Sequence, residues 1–316
     1  MIRILQVVGG LDRGGVETLF LNIYKNIDKK RFQFVFLCYG NDPFDYEEEV
    51  LKLGAKIVRL PQPKNPFTHI KQVEEVIRKE NISIVHSHTY YNSAFIMMAA
   101  KRCGVKLRIT HSHNTKDNKP QNWKRKMYAY ICKKIIRFYT TDFVACGQEA
   151  GEALFGKKKS FKIVHNGIAI DAFRWNEKVR REYREQFQVP EDQIVIGHVG
   201  RFQEQKNHSF LIDIFKEYTK LNSNTKLFLI GTGELQETIK NKVKEEKLEN
   251  KVEFLNSRND VASLYQMMDL FLFPSLYEGL PVTLVETQVA GLKSLVSNHV
   301  TKEVKFTNAI EFFDLE

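Results

Sequence analysis

Residues 271–291 read FLFPSLYEGLPVTLVETQVAG. An apolar run ends at Pro274, a short loop follows, Pro281 stands where a helix would begin, and TLVETQVA continues as that helix. Proline suits a helix start because its missing N–H would have had no intrahelical partner there. A buried strand running through a tight loop into a helix is half of a parallel strand–helix–strand unit. Upstream the same rhythm recurs. QIVIGHVG (193–200), KLFLIG (226–231) and KVEFLN (251–256) alternate with HSFLIDIFKEYTKL (208–221), GELQETIKNKVKEE (233–246) and DVASLYQMM (260–268). KSLVSN (293–298) adds a strand downstream.

The first half repeats the pattern with IRILQVV, QFVFLCY, AKIVRL, ISIVHSH, KLRITHSH, DFVACG and FKIVHNG as strand candidates. Val16, Leu19, Phe20, Ile23 and Ile27 mark one face of the first helix at the 3.6-residue period. Runs rich in Val, Ile and Phe without strict alternation belong to parallel strands buried on both faces. Around residues 167–193 the rhythm breaks into a charged stretch with Gly and Pro, expected to be an interdomain connection carrying one helix. At 316 residues the chain is too long for one ordinary core. The reading is therefore α/β, with two doubly wound Rossmann-like domains, residues 1–168 and 169–316, facing each other across a cleft. Ligands of such sheets sit at the carboxyl ends of the strands, so the loops there are the places to search.

Composition narrows the classes. Hydrophobic residues at 43% and charged residues at 27% give the balance of a soluble globular protein. No run approaches the length of a membrane-spanning helix. MIRILQVVGG reads as a first strand and not as a signal peptide, so the expected location is the cytoplasm. Cys38, Cys103, Cys132 and Cys146 are scattered without CxxC spacing and read as core residues. A net charge of +10 favours an anionic partner such as a nucleotide diphosphate or an anionic lipid surface. Nucleic acid is excluded as the main partner, because the chain carries no RRM or KH signature and no base-reading helix.

Three loops carry candidate chemistry. After the first strand, Gly14 and Gly15 bring bare backbone to a helix start, suited to a phosphate or to a simple tight turn. The spacing is not GxGxxG. After QIVIGHV, Gly200 and Arg201 are followed five residues later by Lys206. A planar fork and a compact point charge can together neutralise a leaving diphosphate, although a solvated basic loop would look the same. In the opening stretch, Glu278 lies in the loop and Glu286 two turns into the helix. A carboxylate there can accept two hydroxyl hydrogen bonds from a vicinal diol. Spacing alone says little, since Glu177 and Glu185 share it; the strand, loop and helix around the pair give it weight.

GGVE, HSHN (111–114), HNG (165–167), GRFQEQKN (200–207), IGTGEL (230–235) and PSLYEGLPVTLVE (274–286), in this order, resemble the family-4 glycosyltransferases of GT-B fold, above all bacterial enzymes of exopolysaccharide and capsule synthesis. The resemblance spans essentially the whole chain. It implies a retaining transfer of a hexosyl or N-acetylhexosaminyl group from a nucleotide-sugar, by family habit a UDP-sugar, to a glycan or lipid-linked acceptor. No metal or other cofactor is implied. Arg201 and Lys206 match the diphosphate clamp, with Gly200 beside them. Glu278 and Glu286 match the glutamates near the donor sugar or phosphate and the ribose. Gly279, Leu280, Val282 and Thr283 fall where backbone meets the diphosphate, and Gly15 where the first domain approaches it. His113, with His111 as the competing choice, matches the histidine beside the transferred sugar. Three positions depart from the pattern: Ala169 for Asp, Asn256 for Gly and Lys293 for Pro. The chain also ends at EFFDLE, soon after KSLVSN, where relatives continue with helices, so the second domain is expected to lack them.

Two features remain outside the resemblance. His86 with His88, and His111 with His113, are HxH pairs that can each point one way from a strand. With no Cys or Asp joining them, no metal is expected. Residues 122–139, NWKRKMYAYICKKIIRFY, form a basic amphipathic helix. Its Trp123, Met127, Tyr130, Ile131 and Phe138 share a face, flanked by Lys126, Lys133 and Arg137. That face is expected to pack on the core; the alternative is peripheral docking on an anionic membrane surface, joined by Lys157 to Lys159. Rivals to a transferase are a nucleotide-sugar epimerase of the same architecture and a non-catalytic nucleotide-sugar-binding subunit.

Overall fold

A computed structural model describes residues 1–117, 119–120 and 122–315. The chain divides into two compact units, Met1–Asn166 and Gly167–Glu316. The first holds strands β1 (Ile2–Val7), β2 (Phe32–Tyr39), β3 (Lys56–Leu60), β4 (Ile84–Ser87), β5 (Leu107–Ser112), β6 (Asp142–Ala145) and β7 (Lys162–Ile163). Helices α1 (Gly15–Asn26), α2 (Glu47–Lys52), α3 (Pro66–Lys79), α4 (Ser93–Arg102), α5 (Trp123–Tyr139) and α6 (Gln148–Phe155) connect them. All pairings are parallel, in the order β3-β2-β1-β4-β5-β6-β7. Burial on both faces explains the unbroken apolar strands: Phe34, Phe36 and Cys38 of β2 face one cluster with Phe20 and Tyr24 of α1, while Val35 and Leu37 face another with α3 and α4.

The second unit opens with α7 (Ile170–Phe173) and α8 (Glu177–Gln186). It continues through β8 (Ile194–Val199), α9 (His208–Leu221), β9 (Thr225–Ile230), α10 (Gln236–Glu245), β10 (Val252–Phe254), α11 (Val261–Met267), β11 (Leu270–Phe273), α12 (Val282–Val289), β12 (Ser294–Ser297) and β13 (Ile310–Phe313). Its sheet is parallel in the order β10-β9-β8-β11-β12-β13. β13, four residues pairing with β12, has too little apolar sequence around it to be read as a strand in advance.

The charged stretch 167–193 carries two helices, not one, and belongs to the second unit. Arg184 of α8 is buried and donates to the carbonyls of Met267, Pro190 and Gln193. Arg180 bonds Asp269 at 2.6 Å, and the Tyr183 hydroxyl donates to Asp260. The charges that made this stretch look like a linker are what fasten it to α11 and the start of β11.

Each strand order reverses once, between β1 and β4 in the first unit and between β8 and β11 in the second. Neighbouring loops diverge at such a point and leave a crevice at the strands' carboxyl ends.

Candidate functional site

In the second unit the crevice is bordered by the loops after β8 and β11. The first carries Gly200 and Arg201, then a single 3-10 turn at Glu204–Lys206, then Asn207 in a left-handed conformation that starts α9. The second carries Ser275 to Pro281 and delivers α12. The two loops are joined by the Leu276 amide donating to Gln205 O, and Gln205 Nε2 donating to Tyr277 O. Lys206 Nζ donates to Glu278 Oε1 at 2.6 Å, with both side chains largely buried, and also lies over the Phe273 ring. Two residues 72 apart in sequence thus form one ion pair at the point where the strand order reverses.

Beside the crevice, the loops after β8 and β9 meet main chain to main chain. A Cβ on Gly231 would lie 2.1 Å from the Gly200 carbonyl oxygen, at φ +139, and one on Gly200 would press on Lys206 Cδ at 3.2 Å. A Cβ on Gly233 would meet the backbone of Phe202. Gly231→Ala is expected to destabilise the second unit by about 1–3 kcal/mol, the range for forcing atoms into filled space; urea unfolding measures it. The Gly231 amide donates to Asn256 O at 2.7 Å. Asn256 itself adopts φ 51, a left-handed conformation that asparagine tolerates.

α12 begins at Val282 with Pro281 as its N-cap and no side-chain cap. The first amides of a helix have no intrahelical acceptor, and the dipole favours an anion there. Val282 and Thr283 supply the first two of these positions. Gly279 and Leu280 are buried in the loop before them. The hydroxyls of Ser275 and Thr283 are buried with no hydrogen-bond partner among the described residues, a pair of orphaned groups that a phosphate or sugar would satisfy.

Glu286 is the fifth residue of α12. It is buried within α12 and accepts a 2.9 Å hydrogen bond from the Tyr265 hydroxyl of α11. Burial pushes its carboxyl up to about 7, the Tyr265 bond opposing only part of that shift. Arg201 is exposed on its loop. Tyr265 and Gln205 were not legible as site residues, because each acts through an element distant in sequence, and Ser275 went unmarked because spacing does not show that its hydroxyl is buried without a partner among the described residues.

In the first unit, Gly14 is the extended N-cap of α1, and no side chain caps that helix. Beside it the two HxH pairs form a single cluster. His88 Nε2 bonds Gln6 Oε1 at 3.0 Å, and His88 Nδ1 bonds His113 Nε2 at 3.0 Å. A carbonyl oxygen only accepts, so His88 carries its proton on Nε2 and accepts at Nδ1. His113 must then donate from Nε2, which leaves its Nδ1 a bare lone pair, buried and without a partner among the described residues. Burial, and after it the neighbouring imidazoles, holds His86, His88 and His113 well below the usual histidine range, and burial brings His111 down to about 4. The cluster is neutral at pH 7. His111 stacks on His113 at 4.1 Å, and Phe20 packs against His88 at 4.2 Å.

His86, His88 and His111 offer ligand atoms within 4.8 Å of one another. His88 already has both nitrogens engaged, so a cation there would have to replace Gln6 or His113. Gln6 and the His88 bridge were missed, since strand spacing shows which way histidines point and not what they meet.

α5 reverses its expected packing. Trp123 is 71% exposed and Phe138 79%, with Met127, Tyr130 and Ile131 also exposed, while Cys132 and Ile136 on the opposite side are buried against α4 and α6. The core needs only the narrow stripe of Cys132, Ile136, Tyr128 and Ala129, so the larger residues face outward. Of the remaining departures, Ala169 stands at the N-cap of α7 without a side-chain acceptor, and Lys293 is exposed.

Comparison with known proteins identifies the family and the fold. The family Glycosyltransferase Family 4 matches residues 13–172, and Glycosyl transferases group 1 matches residues 179–306. The chain is 37% identical to a protein of Bacillus subtilis bearing the glycosyltransferase name EpsF, over 96% of this chain and 80% of that one. It is 28% identical to the capsular polysaccharide biosynthesis glycosyltransferase CapH of Staphylococcus aureus, over 90% and 78%. Among solved structures, Anabaena HepE in complex with UDP and glucose superposes with a TM-score of 0.81 at 16% identity, covering 99% of this chain and 85% of that one. At that identity the likeness establishes a shared GT-B fold.

Proposed function

The chain belongs to glycosyltransferase family 4, and on that footing we propose that it moves a hexosyl or N-acetylhexosaminyl group, with retention, from a UDP-sugar to a glycan or lipid-linked acceptor in polysaccharide synthesis. The observation that carries the reading is the Lys206–Glu278 pair beside the uncapped start of α12, with the orphaned Ser275 and Thr283 hydroxyls close in sequence. Cationic, amide and hydroxyl groups on these two adjoining loops suit a diphosphate. UDP bound to HepE and the capsule name of CapH support the donor and the pathway class.

In this mechanism the second unit binds the donor. The bond between the anomeric carbon and the phosphate oxygen breaks, and Lys206, Arg201 and the first α12 amides take up the charge that develops on the diphosphate. The acceptor hydroxyl forms the new glycosidic bond on the same face, and its proton passes to the departing phosphate oxygen. Glu278 holds Lys206 in place before the donor arrives, and Glu286 receives the ribose diol. We assign the first unit to the acceptor side, and Gly15 and His113 keep the roles that the resemblance implies, at the donor diphosphate and beside the transferred sugar. The bare Nδ1 of His113 is an acceptor for a sugar hydroxyl. The protein works in the cytoplasm, at the inner face of the membrane, and without a metal, since cationic side chains fill the role a divalent ion would take.

Calorimetric titration with UDP, GDP and ADP tests the donor site. UDP is expected to bind most tightly, with the same affinity in EDTA. Loss of binding in EDTA would overturn the metal-free reading, and no binding by any nucleotide would overturn the site. With a UDP-sugar present, an altered sugar released without an acceptor would mark an epimerase, and binding without any turnover a non-catalytic subunit.

A further inference from the structure

We infer that the outward face of α5 is a docking surface for an anionic lipid bilayer. Along the helix, Trp123, Met127, Tyr130, Ile131 and Phe138 fall on one side at the 3.6-residue period and are all about half exposed or more. A helix needs only one apolar stripe to hold it to its own core, and α5 has that stripe in Cys132 and Ile136 on the far side. The second stripe does nothing for the fold and leaves three aromatic rings, Trp123, Tyr130 and Phe138, exposed.

Charge decides the occupant. α5 contains Lys124, Arg125, Lys126, Lys133, Lys134 and Arg137 and not one acidic residue. Asp117 neutralises Arg125. Lys124, Lys126, Lys134 and Arg137 are exposed beside or within the apolar stripe, and Lys134 lies over the Tyr130 ring at 4.5 Å. The loop after α6 approaches the end of α5, where Arg137 donates to Phe155 O, and it adds exposed Lys157 and Lys158. Aromatic and aliphatic side chains bordered by long cationic stems match the headgroup boundary of an anionic leaflet, with rings at the acyl edge and ammonium groups among the phosphates. A cationic border without a single acid complements a surface of uniform negative charge, which an anionic leaflet presents. No helix among the described residues is long and apolar enough to cross a membrane, so the contact is peripheral.

The geometry stands apart from the transferase reading, and the test keeps them separate. The full chain is sedimented with vesicles of phosphatidylcholine containing roughly one-third phosphatidylglycerol, and with phosphatidylcholine alone. Binding to the anionic vesicles is expected to be at least about ten-fold stronger and to weaken as salt is raised. In a Trp175→Phe background the emission of Trp123 should shift to the blue on binding. Trp123→Ser with Phe138→Ser, and separately Lys124→Glu with Lys134→Glu, should each abolish cosedimentation while UDP affinity stays unchanged. Equal binding to neutral vesicles, no binding to either, or binding that survives both double substitutions would overturn the inference. So would a concentration-dependent dimer that the same substitutions dissolve, since a second copy would then cover the face.

Discussion

Lys206→Ala is expected to lower turnover by about 10²–10³-fold, the usual result of removing one preorganised group that meets transition-state charge. The structure adds a complication that also makes the prediction sharper. Lys206 neutralises Glu278, and both are largely buried, so the single substitution leaves a carboxylate without its cation. Breaking such a pair costs about 3 kcal/mol, and the melting temperature should fall with the activity. The double variant Lys206→Ala, Glu278→Gln removes the stranded charge. It should recover the melting temperature and stay inactive. If activity returned along with stability, Lys206 would be a structural counter-ion and the diphosphate clamp would be wrong.

The second large effect concerns Glu286. A ribose diol calls for the ionised carboxylate, and burial has raised this group to about 7. UDP affinity should therefore rise about ten-fold between pH 6 and pH 8, as the ionised fraction rises from about one-tenth to about nine-tenths. Glu286→Gln should flatten that dependence and weaken binding at pH 8 by about 10–100-fold, the worth of hydrogen bonds to a charged group. Stability moves the opposite way. Between the ordinary value of 4.5 and the raised value near 7, the folded chain holds more proton than the unfolded chain. The stabilisation is thus complete below the lower value and is lost as pH rises through the upper one, a change of about 3 kcal/mol. Above pH 7 Glu286→Gln should melt higher than the native protein while binding UDP more weakly. Calorimetric titration and thermal melts across pH 5–9 check both halves. A pH-independent native affinity would remove Glu286 from the ribose.

Much of this was legible beforehand, for identifiable reasons. Parallel strands write themselves as apolar runs, and the loop from Pro274 to Pro281 displayed strand end, turn and helix start in one line of sequence. The Lys206–Glu278 contact was not readable from spacing, because strand order decides that the loops after β8 and β11 are neighbours. Glu286 was found, but its Tyr265 partner was not, since nothing in QMM or SLY marks a tyrosine that points at another helix. The linker was misread because Arg180 and Arg184 look solvated until Asp269 and the carbonyls of α11 are in view. α5 was misread for a related reason: periodicity reveals an apolar stripe without telling whether the protein or its surroundings will cover it.

The close approach of Gly200 and Gly231 has a consequence for descent. Where two peptides touch, no side chain intervenes, so this junction beside the crevice has nothing that substitution can tune and much that it can break. A lineage changing its sugar would do so with side chains that meet the ligand, such as Ser275 and Thr283, and would inherit this junction unaltered. Paralogues that transfer different sugars should then diverge most at those side chains and least at the two glycines, where variation means lost stability before it means a new substrate.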